Sequence, residues 1–185
     1  GRRRLAERAV GHLGTLDPSA TGLLVMAIGR KALKVVELFG GAAKEYEADV
    51  LFGIVSSTYD GEGVIERILP AMGWAPPEQG ELQRVIADRF VGRIAQVPPA
   101  YSAVKVGGER AYRKARQGRA VDLPARAVHI ERCDVLSYAY PRLRLRVRCG
   151  SGTYIRSLAH DLGQVLRCGA YLAGLMTFFV NARYR

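Results

Sequence analysis

The chain has 185 residues, 49% of them hydrophobic, with 28 Lys and Arg against 17 Asp and Glu. That length supports one substantial core, and the net charge of +11 with a pI near 10 points to a polyanionic partner, nucleic acid above all. No run of ~20 apolar residues suits a membrane span, Gly1-Arg2-Arg3-Arg4 leads into no apolar signal-peptide stretch, and Cys133, Cys149 and Cys168 are too few and too scattered for a disulfide framework or zinc site. A reducing, cytoplasmic setting and buried, apolar cysteines are the expectation.

The run Gly11-His12-Leu13-Gly14-Thr15-Leu16-Asp17-Pro18-Ser19-Ala20-Thr21-Gly22 reads as a rigid loop that presents one carboxylate. Pro18 biases Asp17 away from helical geometry. Gly14 and Gly22 allow sharp turns and close backbone approach, and Thr15, Ser19 and Thr21 supply local hydrogen bonds. Leu23 to Ile28 reads as a buried strand ending at Gly29, and Lys31 to Phe39 as a helix stopped by Gly40-Gly41. Tyr46 to Phe52 alternates as a strand, and Ser56 to Gly63 is a polar loop. Pro76-Pro77 opens a helix from Glu78 to Phe90 with Leu82, Val85, Ile86 and Phe90 on one face.

Gln96-Val97-Pro98-Pro99 is excluded from a central strand. Val104 to Val106 reads as a strand entering a hairpin at Gly107-Gly108, followed by a short basic helix from Glu109 to Gln117. Leu143 to Cys149 alternates strictly, so Arg144, Arg146 and Arg148 share one face. That row suits either a phosphate backbone or the wet side of a half-buried sheet. Ile155 to Leu166 has helical spacing, Cys168-Gly169 breaks it, and Tyr171 to Val180 closes the chain as a strand. The mixture without a βαβ rhythm predicts an α+β domain with a mixed, largely antiparallel sheet and flanking helices.

The aspartate run resembles the signature of the TruB-type pseudouridine synthases, Gly-His-x-Gly-Thr-Leu-Asp-Pro-x-Ala-Thr-Gly. Four further segments resemble that family in the same order: Lys44-Glu45-Tyr46; Ser56-Ser57-Thr58-Tyr59-Asp60-Gly61-Glu62-Gly63; Pro98-Pro99-Ala100-Tyr101-Ser102-Ala103-Val104-Lys105 with Tyr112 and Ala115-Arg116-Gln117-Gly118; and Gly152-Thr153-Tyr154-Ile155-Arg156-Ser157-Leu158. Two departures stand out. The family's Lys-Pro-x-Gly-x-Thr-Ser segment is not found before the aspartate run, and its basic residues after Leu175 are replaced by Met176 and Thr177. The resemblance therefore implies a single pseudouridine synthase catalytic domain over 1–185, N-terminally shortened, with a small insertion near 64–120 and no C-terminal RNA-binding PUA domain.

It also implies an isomerase that turns uridine 55 of the tRNA T-loop into pseudouridine, working in the cytoplasm as a monomer without metal or cofactor. Asp17 would act at C1′, Arg156 would pair with it, and Tyr46 would stack on the everted base. Leu175 would wall the pocket, and His12, Tyr101, Lys105, Arg110 and Arg116 would contact RNA. Asp60 is expected to organise its own loop. A guide-RNA-dependent relative acting on ribosomal RNA and a catalytically weak RNA-binding module are the alternatives. A retaining glycoside hydrolase needs two carboxylates ~5 Å apart, so Asp60 or Asp161 close to Asp17 would favour that reading.

Overall fold

The computed structural model describes residues 9–14, 16–17, 19–38 and 41–179. The elements in chain order are β1 (Val10–Leu13), β2 (Thr21–Gly22), β3 (Val25–Ile28), α1 (Arg30–Leu38), β4 (Lys44–Phe52), β5 (Ile54–Ser56), β6 (Ile65–Arg67), α2 (Gln79–Phe90) and β7 (Gly92–Gln96). Then follow β8 (Lys105–Val106), β9 (Glu109–Arg110), α3 (Ala111–Arg116), β10 (Arg126–Ala139), β11 (Arg142–Cys149), α4 (Ile155–Val165) and β12 (Ala170–Phe179). The main sheet has six strands in the order β2-β12-β4-β11-β10-β7. Only the short β2–β12 pairing is parallel; the neighbours β12–β4, β4–β11, β11–β10 and β10–β7 all run antiparallel. The chain is an α+β domain, as its pattern of elements predicts.

One face of this sheet forms the core. Strict alternation in β11 turns Leu143, Leu145, Val147 and Cys149 inward, and Ala48, Val50 and Phe52 of β4 lie beside them, all but inaccessible. Ile155, Leu158, Ala159 and Leu162 of α4, with Leu82, Ile86 and Phe90 of α2, pack against that layer. Cys149 and Cys168 are buried apolar groups and Cys133 is half-buried; burial pushes the Cys149 thiol up to about 11 and that of Cys133 up to about 12. A smaller cluster of Val104, Ala111 and Leu123 sits under the 101–123 segment.

The opposite face is a ladder of ion pairs. Arg144 and Arg146 both hold Glu47, at 2.8 and 2.7 Å, and Arg148 lies 2.8 Å from Glu131. The arginine row is therefore occupied by neighbouring carboxylates on the wet side of the sheet, and the phosphate-tracking alternative is not the state found.

Several elements differ from the sequence reading. The first half of the aspartate run is a strand, β1, paired with β3 from Val10↔Ile28 to Leu13↔Val25. β3 is not a buried strand: Ala27 is buried, but Met26 and Ile28 are about half exposed (48% and 47%). The 14-residue β10 has no counterpart in the sequence reading. The roles expected of Thr15 and Pro18, and the helix end at Phe39 and Gly40, lie outside the described residues. Gly22 meets its expectation: a Cβ there would stand 2.2 Å from the Thr177 carbonyl oxygen, so only glycine lets the aspartate segment lie against β12.

The alternation gives a direct test. Leu145→Ala should cost about 2–5 kcal/mol through the cavity it leaves, whereas Arg146→Ala, one residue on, should cost under about 1 kcal/mol. Urea unfolding of both variants measures the difference.

Candidate active site

The core-facing side of β4 changes character along its length. Phe52, Val50 and Ala48 are buried, whereas Tyr46 and Lys44 continue the same face beyond the end of the core. Across the sheet, Thr177 of β12 is in register with Tyr46 and Leu175 with Ala48. These four side chains, Lys44, Tyr46, Leu175 and Thr177, form the floor of a cleft of about 610 Å³. Its walls come from the aspartate loop (Leu16, Asp17), the 58–62 loop, the 101–116 segment and the start of α4.

At its centre is Arg156, buried although it carries a charge. Its Nη2 donates to Asp17 Oδ1 at 3.0 Å and to the Tyr101 carbonyl at 3.1 Å, and its Nε lies 2.9 Å from Asp17 Oδ2. Nη1 donates to the Thr58 carbonyl at 3.3 Å and lies 3.2 Å from Asp60 Oδ2. The fork of the guanidinium thus meets Asp17 along one edge. Ala20 N–H donates to the Asp17 carbonyl at 2.9 Å, which closes the turn that presents the carboxylate.

Asp60 does organise its loop. Its Oδ1 accepts from Thr58 Oγ1 at 2.5 Å and from the Glu62 amide at 3.0 Å. Its reach to Arg156 is the part that sequence reasoning missed. Two carboxylates therefore share one cation. Asp60 lies close enough for its charge to act on Asp17, the proximity the glycoside hydrolase alternative calls for, but its side chain is only 5% exposed against 28% for Asp17, so Asp17 is the more accessible of the two carboxylates. Asp161 does not line the cleft; burial pushes its carboxyl up to about 6.

The electrostatics follow from this sharing. Burial raises the Asp17 pKa; Arg156 opposes that, and the Asp60 charge adds to it. Burial, with Cys149 and Asp17 nearby, drives the Tyr46 phenol far above its ordinary value, so Tyr46 presents a neutral hydroxyl and an aromatic face.

Among the residues singled out from the sequence, Asp17, Tyr46, Arg156, Leu175, Tyr101, Arg110 and Arg116 all line the cleft. The Arg116 guanidinium lies 5.6 Å from the centroid of the Tyr112 ring. Lys105 is exposed on β8 and His12 is exposed on β1, and neither lines the cleft; His12 Nδ1 contacts the Gly14 carbonyl oxygen. In the sequence, Lys44 stands out only through the Lys44-Glu45-Tyr46 segment. Its position two residues before Tyr46 places it on the same strand face, and its ammonium occupies the space beside Gly14, 2.8 Å from where a Cβ would project. Among the described residues, no group of three or more His, Cys, Asp or Glu is placed to hold a metal ion, and no helix is long and apolar enough to cross a membrane.

An α+β sheet thus carries, at the centre of a cleft of about 610 Å³, a buried arginine that grips the carboxylate of Asp17. The pattern of the TruB family pseudouridylate synthases (N-terminal domain) matches residues 2–155, and the chain belongs to that family. It is 48% identical over 182 residues to the tRNA pseudouridine synthase B of Xanthomonas oryzae pv. oryzae, covering 97% of this chain and 57% of that protein. It is 40% identical to the protein of the same name from Opitutus terrae, covering 94% of this chain and 70% of that one. The chain thus spans little more than half the length of the Xanthomonas relative. Among solved structures, the chain is similar to one described as a Cbf5-Nop10-Gar1 complex, with a TM-score of 0.69 at 28% identity over 96% of this chain and 42% of that one.

The raised Asp17 pKa has a stability consequence. A carboxyl group raised in the folded state favours folding while protonated and loses that contribution as pH rises through its folded value. Asp17→Asn should therefore raise the melting temperature at pH 7, with an advantage that fades as pH falls toward 3.8, the ordinary aspartate value. Thermal scans of both proteins across that range check the sign.

Proposed function

We propose that this chain is the catalytic domain of a tRNA uridine isomerase that forms pseudouridine at position 55 of the T-loop, working in the cytoplasm as a monomer without metal or cofactor. The observation that carries the reading is the Asp17–Arg156 pair, held in a cleft whose floor offers an aromatic ring, an apolar side chain and an ammonium. A cleft of about 610 Å³ falls within the ~300–1,000 Å³ range of small-ligand pockets. A uridine everted from folded RNA can enter it, and the few kcal/mol lost in unstacking is offset by stacking on Tyr46 and contact with Leu175.

Asp17 acts at C1′, as nucleophile or as the charge that stabilises the ribose while the N1–C1′ bond breaks. The freed uracil turns, C5 bonds to C1′, and the proton lost from C5 balances the one taken up at N1. Tyr46 serves as platform and neutral hydrogen-bond donor, because a phenolate is strongly disfavoured at that position. Arg156 keeps Asp17 aimed and favours its ionised form. Lys44, Arg110 and Arg116 are cleft-lining cations without a carboxylate in ion-pair distance among the described residues, and they are suited to the phosphates that flank the target. Tyr101 and Tyr112 offer stacking faces between them, while His12 and Lys105 meet RNA beyond the cleft.

Unmodified tRNA transcript, supplied without guide RNA or partner protein, should gain pseudouridine at a single T-loop site, read by chemical mapping. Lack of modification on bare transcript, with modification restored by a guide RNA, would favour the guide-dependent alternative. Asp17→Asn should abolish turnover and leave RNA affinity within a few-fold; an unchanged yield would remove Asp17 from the chemistry. Lys44→Gln should weaken RNA binding and reduce the slope of log affinity against log salt by about 0.7, the value for one lost phosphate contact on a single strand. An unaltered slope would remove Lys44 from the interface.

A further inference from the structure

Arg156 is gripped on the side away from Asp17 by two groups, the Thr58 carbonyl and the Asp60 carboxylate. Between them stands Tyr59, with φ +65°. That left-handed geometry is unfavourable for an aromatic residue and persists only where the surroundings impose it. Two kinds of contact impose it here. The Tyr59 backbone is held at both ends, its N–H donating to the Ser56 carbonyl at 3.1 Å and its carbonyl accepting from the Leu172 amide at 2.9 Å. Its ring lies flat on that of His160, with centroids 3.8 Å apart and planes 11° apart.

His160 lies four residues after Arg156 on α4 and so shares its helical face, one turn away. The same helix thus holds the 58–60 tripeptide at two points, by the guanidinium and by the imidazole. We infer that the Tyr59–His160 stack is a positioning device: it fixes the backbone turn that aims the Thr58 carbonyl and Asp60 at Arg156, and through Arg156 it fixes the Asp17 carboxylate. His160 Nδ1 is buried without a hydrogen-bond partner, so that nitrogen anchors nothing and the ring face makes the contact. Burial lowers the His160 pKa, which favours the uncharged ring in the stack.

The device is a property of the folded chain, and only its catalytic consequence rests on the isomerase reading. The primary test accordingly needs no turnover. The groups facing Asp17 are Arg156 from α4, Asp60 from the 58–62 loop and Tyr46 from β4. If the stack is lost, Arg156 is no longer backed by the Thr58 carbonyl and Asp60 and leaves its paired alignment with Asp17; Arg156 lowers the Asp17 pKa more than Asp60 raises it, so loosening both moves it up. The Asp17 carboxyl carbon, followed by NMR, should therefore titrate at least ~0.5 pH unit higher in His160→Ala than in the unaltered protein. His160→Phe keeps a flat ring and should restore the original midpoint. Tyr59→Gly removes the stack while relieving the positive φ; it is not penalised by backbone strain and should show the same upward shift.

On unmodified tRNA transcript, His160→Ala should lower kcat about tenfold with KM nearly unchanged, as expected when a reacting group is misaimed, and the acid limb of kcat should move up with the NMR midpoint. An Asp17 midpoint that stays put or falls in both His160→Ala and Tyr59→Gly would overturn the inference, as would failure of His160→Phe to restore it. Should the unaltered protein show no turnover, the isomerase reading would fail while the NMR midpoints still decide the role of the stack.

Discussion

One guanidinium ties four separated parts of the chain together. Arg156 rises from the first turn of α4 and meets the aspartate loop, the 58–62 loop and the Tyr101 carbonyl. A lysine has no planar fork and could not serve these groups in one plane. The cation faces two carboxylates, so the cluster carries one negative charge in excess, partly removed from water. Such clusters are weak as sources of stability, because desolvation opposes the attraction. Their value is geometric: any displacement of Arg156 leaves a buried carboxylate unpaired, so the neighbouring loops are held to one arrangement. The raised pKa of Asp17 is the energetic trace of that arrangement, since a burial penalty outweighs a shared arginine.

The same strand builds both the core and the cleft. β4 contributes Ala48, Val50 and Phe52 to the core and then, without changing face, Tyr46 and Lys44 to the cleft. Because side chains alternate with a period of two, a slip of one residue between β4 and β11 would bury Glu45 and Glu47 and expose the tyrosine. The ion-pair ladder of Arg144 and Arg146 on Glu47 guards against that slip. Each exposed pair contributes little energy, but in the wrong register it would confront the core with charge. The placement of Tyr46 in the cleft is thus specified by contacts on the far side of the sheet.

What could be read from the sequence depended on whether a feature is local. β11 and α4 declare themselves through unbroken periods of 2 and 3.6 residues. β10 does not, because its pairing with β11 shifts register between Ile130 and Arg132 and again between Val135 and Ser137. Each irregularity inverts the phase of the alternation, and a strand with two inversions has no single period to detect. The site divides in the same way. Asp17 and Arg156 stand in distinctive motifs, and their pairing could be anticipated as that of a carboxylate and a fork. Asp60 was legible only as a loop organiser because its bonds to Thr58 and Glu62 are local, while its contact with Arg156 depends on how α4 docks. The Tyr59–His160 stack has no local signal at all, since neither a left-handed tyrosine nor a ring across a domain is written in spacing.

Charge shows why a total is not a map. The excess of +11 suggests a broadly basic surface, yet Arg119, Arg132, Arg144, Arg146 and Arg148 are all held by carboxylates. Among the described residues, the cleft-lining cations without a carboxylate in ion-pair distance are Lys44, Arg110 and Arg116. Family resemblance leads to an expectation of basic side chains after Leu175, where this chain has Met176 and Thr177. Thr177 lies in register with Tyr46, and Lys44 follows on the same face of the adjoining strand. Lys44 belongs to a segment that itself resembles the family, so it does not replace those basic residues; the positive charge of the cleft floor rests on β4, and Met176 and Thr177 add none. An ammonium acts as a point charge without a required plane, so Lys44 can meet an anion from any direction that the cleft leaves open.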